Sequence, residues 1–366
     1  MKNSKKSLMH VLSMSILLSL SSTSFAELVN NPSSGSTGTA SLNWSAADAS
    51  QLLNDEDDEP TPQGSTSVTT TLRGSNAPRV ITSTPKVAPI RDTVGYNAQP
   101  SVSARAALVM DAQTGEVLYS KNTNASVPIA SITKLMTAVV TADARLNMSE
   151  EITLEQIDFA GAGGKNSSST LRVGDKMNRA EVLLFALMKS ENPAAAALAR
   201  TYPGGRAAFV AAMNAKARAL GMNATHYYES TGLDPRNVSS ARDLGILAST
   251  ASQYGLIRQF STTPTYDFNL GYRVLKSNNT NALVRNGGWN INLSKTGYIN
   301  EAGRCVVMHT TVNSRPAVIV LLGEPSTQAR NNDATNLLGW LSNLPKYVFN
   351  LIIFKNASLE AFFYAI

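Results

Sequence analysis

At 366 residues, 43% of them hydrophobic, the chain holds enough apolar material for one large domain or two small ones. Its net charge of +6 is too slight to argue for a nucleic-acid partner. A single cysteine, Cys305, rules out an intramolecular disulfide, and three scattered histidines (His10, His226, His309) lack metal-ligand spacing, so neither a metal nor a cofactor is expected.

Residues 1–26 combine a basic start (Lys2, Lys5, Lys6), an apolar stretch over 8–20 and the small-residue site Ser24-Phe25-Ala26. This is the pattern of a secretory signal peptide. Its removal takes away three lysines and no acid, lowering the net charge from +6 to +3. Residues 27–100 turn to Ser, Thr, Asn, Pro and Gly around the acidic run 55–59, and are expected to be a disordered tether. Order is expected over 101–344. Ala106 to Met110 and Glu116 to Tyr119 read as strands joined by the turn Asp111-Ala112-Gln113-Thr114-Gly115. Val127-Pro128-Ile129-Ala130-Ser131 reads as an extended approach and a proline-containing first turn, leading into an apolar helix that runs to about Arg145. A glycine- and serine-rich loop with short strands is expected over 161–173, and an almost wholly buried helix over 179–189. Pro193 is expected to open a second helix, followed by helices over 205–220 and from Ser240 to about Tyr254. Strands are expected around Tyr272 to Leu275, Leu293 to Tyr298, Cys305 to Thr311 and Pro316 to Leu322, with a closing helix over 332–344. Strands at both ends with helices between define an α+β domain whose sheet is mainly antiparallel. The apolar tail, 345–366, is too short and interrupted to span a bilayer. Peripheral membrane contact through this tail is kept as an open expectation.

Within this frame, Ser131 and Lys134 lie one turn apart at a helix start. A hydroxyl and an amine so held suggest a nucleophile with its own base, and with so few histidines the base is expected to be a lysine or a carboxylate. The bland alternative is an N-cap serine beside a solvated lysine. Such a pair is common by chance, and Ser83-Thr84-Pro85-Lys86 is a second match, set aside for its proline. Two further stretches change the balance. Ser190-Glu191-Asn192 sits in a tight link between two helices, where Asn192 could otherwise serve as an N-cap. Lys295-Thr296-Gly297 falls on a strand, where glycine admits another backbone at close range.

In that order and in those elements, the three motifs resemble the penicillin-recognising serine D,D-peptidases, over roughly residues 101–344 and including Thr231-Gly232-Leu233-Asp234. The sequence is most similar to the low-molecular-mass D-alanyl-D-alanine endopeptidase branch, the penicillin-binding protein 7 and 8 type of peptidase family S11. The resemblance implies a β-lactamase/transpeptidase-like fold, with an all-helical subdomain carrying the Ser-x-Asn motif. It implies Ser131 as nucleophile, Lys134 as base with its pKa lowered by burial and by Lys295, and Ser190 as proton relay. Asn192, Lys295, Thr296, Gly297 and Tyr298 would bind substrate, with the N–H groups of Ser131 and Tyr298 as oxyanion donors. Arg330, placed in a loop before the last helix, would take a carboxylate. Glu191 is expected to point away from the site.

The implied partners are peptidoglycan stem peptides, with β-lactams as covalent inhibitors, and the implied location is the periplasm. The favoured activity is hydrolysis of D-alanyl-diaminopimelate cross-links. In many related carboxypeptidases a β-rich domain and an anchor follow the catalytic domain, whereas here only 345–366 follow the last predicted helix. Release of terminal D-alanine is the alternative. A β-lactamase lacks support because no E-x-x-x-N segment lies between Asn192 and Lys295. A non-catalytic wall-binding module is disfavoured by the intact Ser131, Lys134 and Lys295.

Overall fold

The computed structural model describes residues 99–161 and 169–344. The expected signal peptide, the tether up to residue 98 and the tail 345–366 lie outside the described residues.

The chain opens with β1 (Ala106–Asp111) and β2 (Val117–Lys121), joined by a turn in which the Asp111 carboxylate accepts the Gln113 and Thr114 N–H groups. A two-residue strand, β3 (Val127–Pro128), and a 3-10 turn over Ala130–Ile132 lead into α1 (Thr133–Asp143). Pro128 therefore lies in a strand, not in a first helical turn, because Val127–Pro128 pairs with residues 238–239 further along. Next come β4 (Glu151–Thr153) and β5 (Lys176–Asn178), a two-stranded ribbon on either side of the glycine-rich stretch 161–173, of which 162–168, with any short strand expected there, lie outside the described residues. α2 (Arg179–Leu184), capped by Asn178 in a reciprocal box with Glu181, runs directly into a π-turn over Phe185–Lys189. α3 (Asn192–Arg200) and α4 (Gly205–Ala219) follow, then β6 (Val238–Ser239) and α5 (Ala241–Ala251), capped by Ser240. α6 (Gly255–Thr262), which the sequence pattern did not suggest, precedes the hairpin β7 (Thr265–Asn269) and β8 (Val274–Asn278) and the short α7 (Ala282–Asn286). The chain then completes its sheet with β9 (Ile291–Ile299), β10 (Gly303–Val312) and β11 (Arg315–Glu324), and covers it with α8 (Thr327–Ser342).

The main sheet has the order β2-β1-β11-β10-β9, and every pairing in it is antiparallel. Both faces are covered, which explains the unbroken apolar run in β11. Val318, Val320 and Leu322 join the core beneath α1 and α5, while Ala317, Ile319 and Leu321 pack against Leu337, Leu338 and Leu341 of α8. Cys305 is fully buried on β10, as a small hydrophobe. The expected all-helical subdomain carrying Ser190 and Asn192 also includes, among the described residues, the β4–β5 ribbon packed against α2. β9 is one of the two outer strands of the sheet, opposite β2, and the nucleophile turn meets the chain there.

Candidate active site

Ser131 sits in the middle of the 3-10 turn, held at its near end by the Ile129 N–H on the Asn237 carbonyl. Lys134, one turn on in α1, is fully buried, and its Nζ lies 2.9 Å from Ser131 Oγ, 2.6 Å from Asn192 Oδ1 and 2.6 Å from the Thr231 carbonyl oxygen. The last two partners can only accept. A neutral amine gives them its two hydrogens, and its lone pair is left facing the serine hydroxyl. Burial lowers the Lys134 pKa to about 7, against the opposing pull of Glu229 and then Glu191. A pKa so close to neutrality lets the amine act as a base there.

Ser190 ends the π-turn in a left-handed conformation (φ 65°), which swings its hydroxyl out of the helix line. There it accepts a hydrogen bond of 2.7 Å from Lys295 Nζ, which also donates to the Thr296 carbonyl at 2.9 Å. Lys295 is fully buried, and burial, Lys134 and Arg330 together push its pKa well below the ordinary lysine value. Burial is the main cause of both shifts, and the two buried amines, close enough to repel each other, each disfavour the other's charge. Asn192 is the first residue of α3, and its side chain serves Lys134 instead of capping the helix. Thr296 Oγ1 donates to Thr280 Oγ1 at 2.7 Å. At Gly297 an added Cβ would stand 3.1 Å from the Ser131 nitrogen and 3.0 Å from the Ile129 oxygen. The strand and the nucleophile turn thus approach as closely as glycine allows. Tyr298 follows on β9, with its ring exposed.

Ser131, Lys134, Ser190, Asn192, Lys295, Thr296 and Gly297 are therefore drawn to one place by five separate elements. Arg330 is corrected. Ser326 caps α8 through the Ala329 N–H, which starts the helix at Thr327 and places Arg330 in its first turn, buried, rather than in a loop. Its guanidinium donates to Asn331 Oδ1 at 2.9 Å. Glu191 is buried and turns to Ser169 and Thr170, whose hydroxyls each donate to it at 2.5 Å. It ties down the chain beside the site.

Two contributors have no motif. The Glu229 carboxylate accepts the N–H groups of Thr231 (2.5 Å) and Gly232 (2.6 Å), fixing the carbonyl that Lys134 uses. Fully buried Asn237 takes the Tyr228 and Glu229 N–H groups and donates to Glu229 and Thr133. The short Thr231-Gly232 stretch was the only sequence signal near them. Beside Asn192 and Thr231 opens a cleft of about 500 Å³, lined also by Phe159, Arg206, Tyr228 and Arg236.

A five-stranded antiparallel sheet between helical layers, with a serine and a buried lysine meeting at its edge strand, defines a serine peptidase of the penicillin-recognising class. The chain belongs to the peptidase S11 family, whose model, described as D-alanyl-D-alanine carboxypeptidase, matches residues 93–326. It is 48% identical to a D-alanyl-D-alanine endopeptidase of Pseudomonas aeruginosa over 254 residues, covering 68% of this chain and 80% of that one. A D-alanyl-D-alanine endopeptidase of Escherichia coli is 43% identical over 254 residues, covering 67% and 79%. Among solved structures it is similar to the Streptomyces K15 DD-transpeptidase, with a TM-score of 0.61 and 30% identity, covering 66% of this chain and 98% of that one.

Proposed function

We propose that this chain is a serine D,D-endopeptidase that opens D-alanyl-diaminopimelate cross-links in peptidoglycan through an acyl-enzyme on Ser131. The observation that carries the reading is the Lys134 amine, buried, 2.9 Å from Ser131 Oγ and anchored by two acceptors. Ser131 Oγ attacks the D-alanyl carbonyl as Lys134 takes its proton, with the N–H groups of Ser131 and Tyr298 receiving the oxyanion. The carbon–nitrogen bond then breaks, and the proton taken up by Lys134 passes through Ser190, whose hydroxyl is held by Lys295, to the departing diaminopimelyl amine, which leaves Lys134 neutral again. Water, deprotonated by Lys134, attacks the ester; the donor stem leaves as a carboxylate and Ser131 regains its proton. Asn192 and Thr296 position the donor stem, and Arg330 receives the carboxylate next to the scissile amide. β-Lactams enter the same route and remain as the acyl group.

The expected setting is the periplasm, with residues 1–26 as the export signal, 27–100 as a tether and 101–344 as the catalytic domain. Cross-linked muropeptide dimers incubated with wild type and with Ser131→Ala test the reading. Monomers should appear with wild type alone. Loss of one D-alanine from pentapeptides, with dimers untouched, would instead make the chain a carboxypeptidase, the activity in the family's own description.

A further inference from the structure

Three arginines stand round the Thr296–Tyr298 end of β9. Arg330, buried in the first turn of α8, is near enough to disfavour the charge of Lys295 on that strand. Arg304 is paired with Tyr298 in the β9–β10 register and lays its guanidinium over the Tyr298 ring, 3.5 Å from the ring centre. Arg285, exposed at the end of α7, donates to the Asn279 carbonyl at 2.6 Å, next to the Thr280 hydroxyl that meets Thr296.

The contacts of these three groups are an amide oxygen, an aromatic face and a backbone carbonyl, none of which carries a negative charge. Their mutual repulsion is visible at Arg330, whose proton affinity is lowered first by burial, then by Arg304, with a further contribution from Arg285. Glu324 is paired with Arg304 across the β10–β11 register, yet burial, then Asp333, raise its pKa to about 8. Its raised pKa weakens its charge at neutral pH, so its pull on Arg330 offsets only part of this positive field. Like charges gathered at a rim favour an anionic ligand.

One carboxylate needs only one of the three. A terminal D-alanine, the leaving group of a carboxypeptidase, carries just that one. A leaving stem cut from a cross-link carries the same carboxylate beside the scissile amide and continues into a peptide with further carboxylates. We propose that Arg304, stacked on Tyr298, and Arg285 form a subsite for this leaving stem, beyond the position taken by Arg330. The inference rests on the endopeptidase reading. It makes selection of cross-links over free stem termini a property of β9, β10 and α7. The exposed Tyr298 ring supplies an apolar floor, and the two guanidinium groups hold carboxylates above it.

The test compares kcat/KM on a purified cross-linked tetrapeptide dimer with the second-order rate of acylation by benzylpenicillin, which has no leaving stem. For Arg304→Ala the ratio of the two should fall about tenfold, and for Arg285→Ala about threefold. Arg304→Lys, which keeps the charge, should restore most of the loss. Added salt should lower the wild-type ratio. A ratio unchanged in both alanine variants overturns the subsite, whether both rates fall together or neither moves. Should Arg304→Ala fail to fold, the exposed Arg285 position decides alone. A wild type that acylates but leaves dimers intact would sink the endopeptidase reading itself, which is a separate outcome.

Discussion

Ala130 and Gly232 cross backbone to backbone, so closely that a Cβ on Gly232 would lie 1.9 Å from the Ala130 carbonyl oxygen and 2.9 Å from the Ser131 nitrogen. Both residues adopt positive φ, 48° and 87°. Gly232→Ala thus meets a clash and a strained conformation together. It should destabilise the protein by about 2 kcal/mol or more and slow acylation about a hundredfold, because the nucleophile turn must move. Gly297→Ala, whose Cβ would meet the same turn at 3.0 to 3.2 Å, should be milder in both respects. Thermal unfolding and benzylpenicillin acylation rates measure the pair. Equal effects would show that the two backbones do not constrain Ser131 differently.

Acylation should follow the neutral form of Lys134. Its pKa of about 7 predicts a rate that falls about tenfold per unit below pH 7 and levels off above pH 8. Stopped-flow acylation across pH 5 to 9 would show this. A flat profile would mean that the amine is not the base.

Glu191 raises the proton affinity of Lys134 through its charge, although it makes its hydrogen bonds to Ser169 and Thr170. Glu191→Gln retains a hydrogen-bonding side chain there and removes the charge. The acylation midpoint should therefore move to lower pH, with the plateau rate changing less than threefold, about the range of a distant charge. A midpoint that stays in place, or rises, contradicts the coupling.

Glu324 is nearly fully buried, with a pKa near 8 against an ordinary value of 4.5. Between those values the folded state holds a proton that the unfolded state has released, so stability falls as pH rises from about 4.5 to 8. Glu324→Gln has no proton to lose. Its melting temperature relative to wild type should climb steadily over that interval and stay constant above it. A difference independent of pH would show that Glu324 is ionised in the folded protein.

Local motifs were readable where chemistry and periodicity coincide. Ser131 and Lys134 announce themselves by spacing on one helix, and Lys295-Thr296-Gly297 by a glycine in a strand otherwise rich in side chains. The strands Cys305 to Thr311 and Pro316 to Leu322 stood out because a sheet covered on both faces needs continuous apolar runs. The Thr231 carbonyl was invisible, since any residue type can supply a backbone acceptor. Glu229 and Asn237 act on backbone N–H groups of their own loop, and no side-chain spacing encodes that. Arg330 was misplaced because α8 begins at a serine cap within a polar stretch, where apolar periodicity has not yet started. Pro128 read as a helix opener because its strand partner lies over a hundred residues away. α6 was missed, and its amphipathic face emerges only once Leu256, Ile257 and Phe260 are placed against the core.

The centre of the sheet joins β1 to β11, pairing Ala106 with Leu322 across about two hundred intervening residues. A chain appearing N-terminus first can form the β1–β2 hairpin early, but the far side of β1 waits for nearly the whole polypeptide. Until then an apolar strand such as Ala106–Asp111 is an open edge, able to pair with a neighbouring copy. The order of synthesis thus makes the growing chain most vulnerable to misassembly at its oldest strand, and shielding of that strand during biogenesis becomes a requirement of this topology.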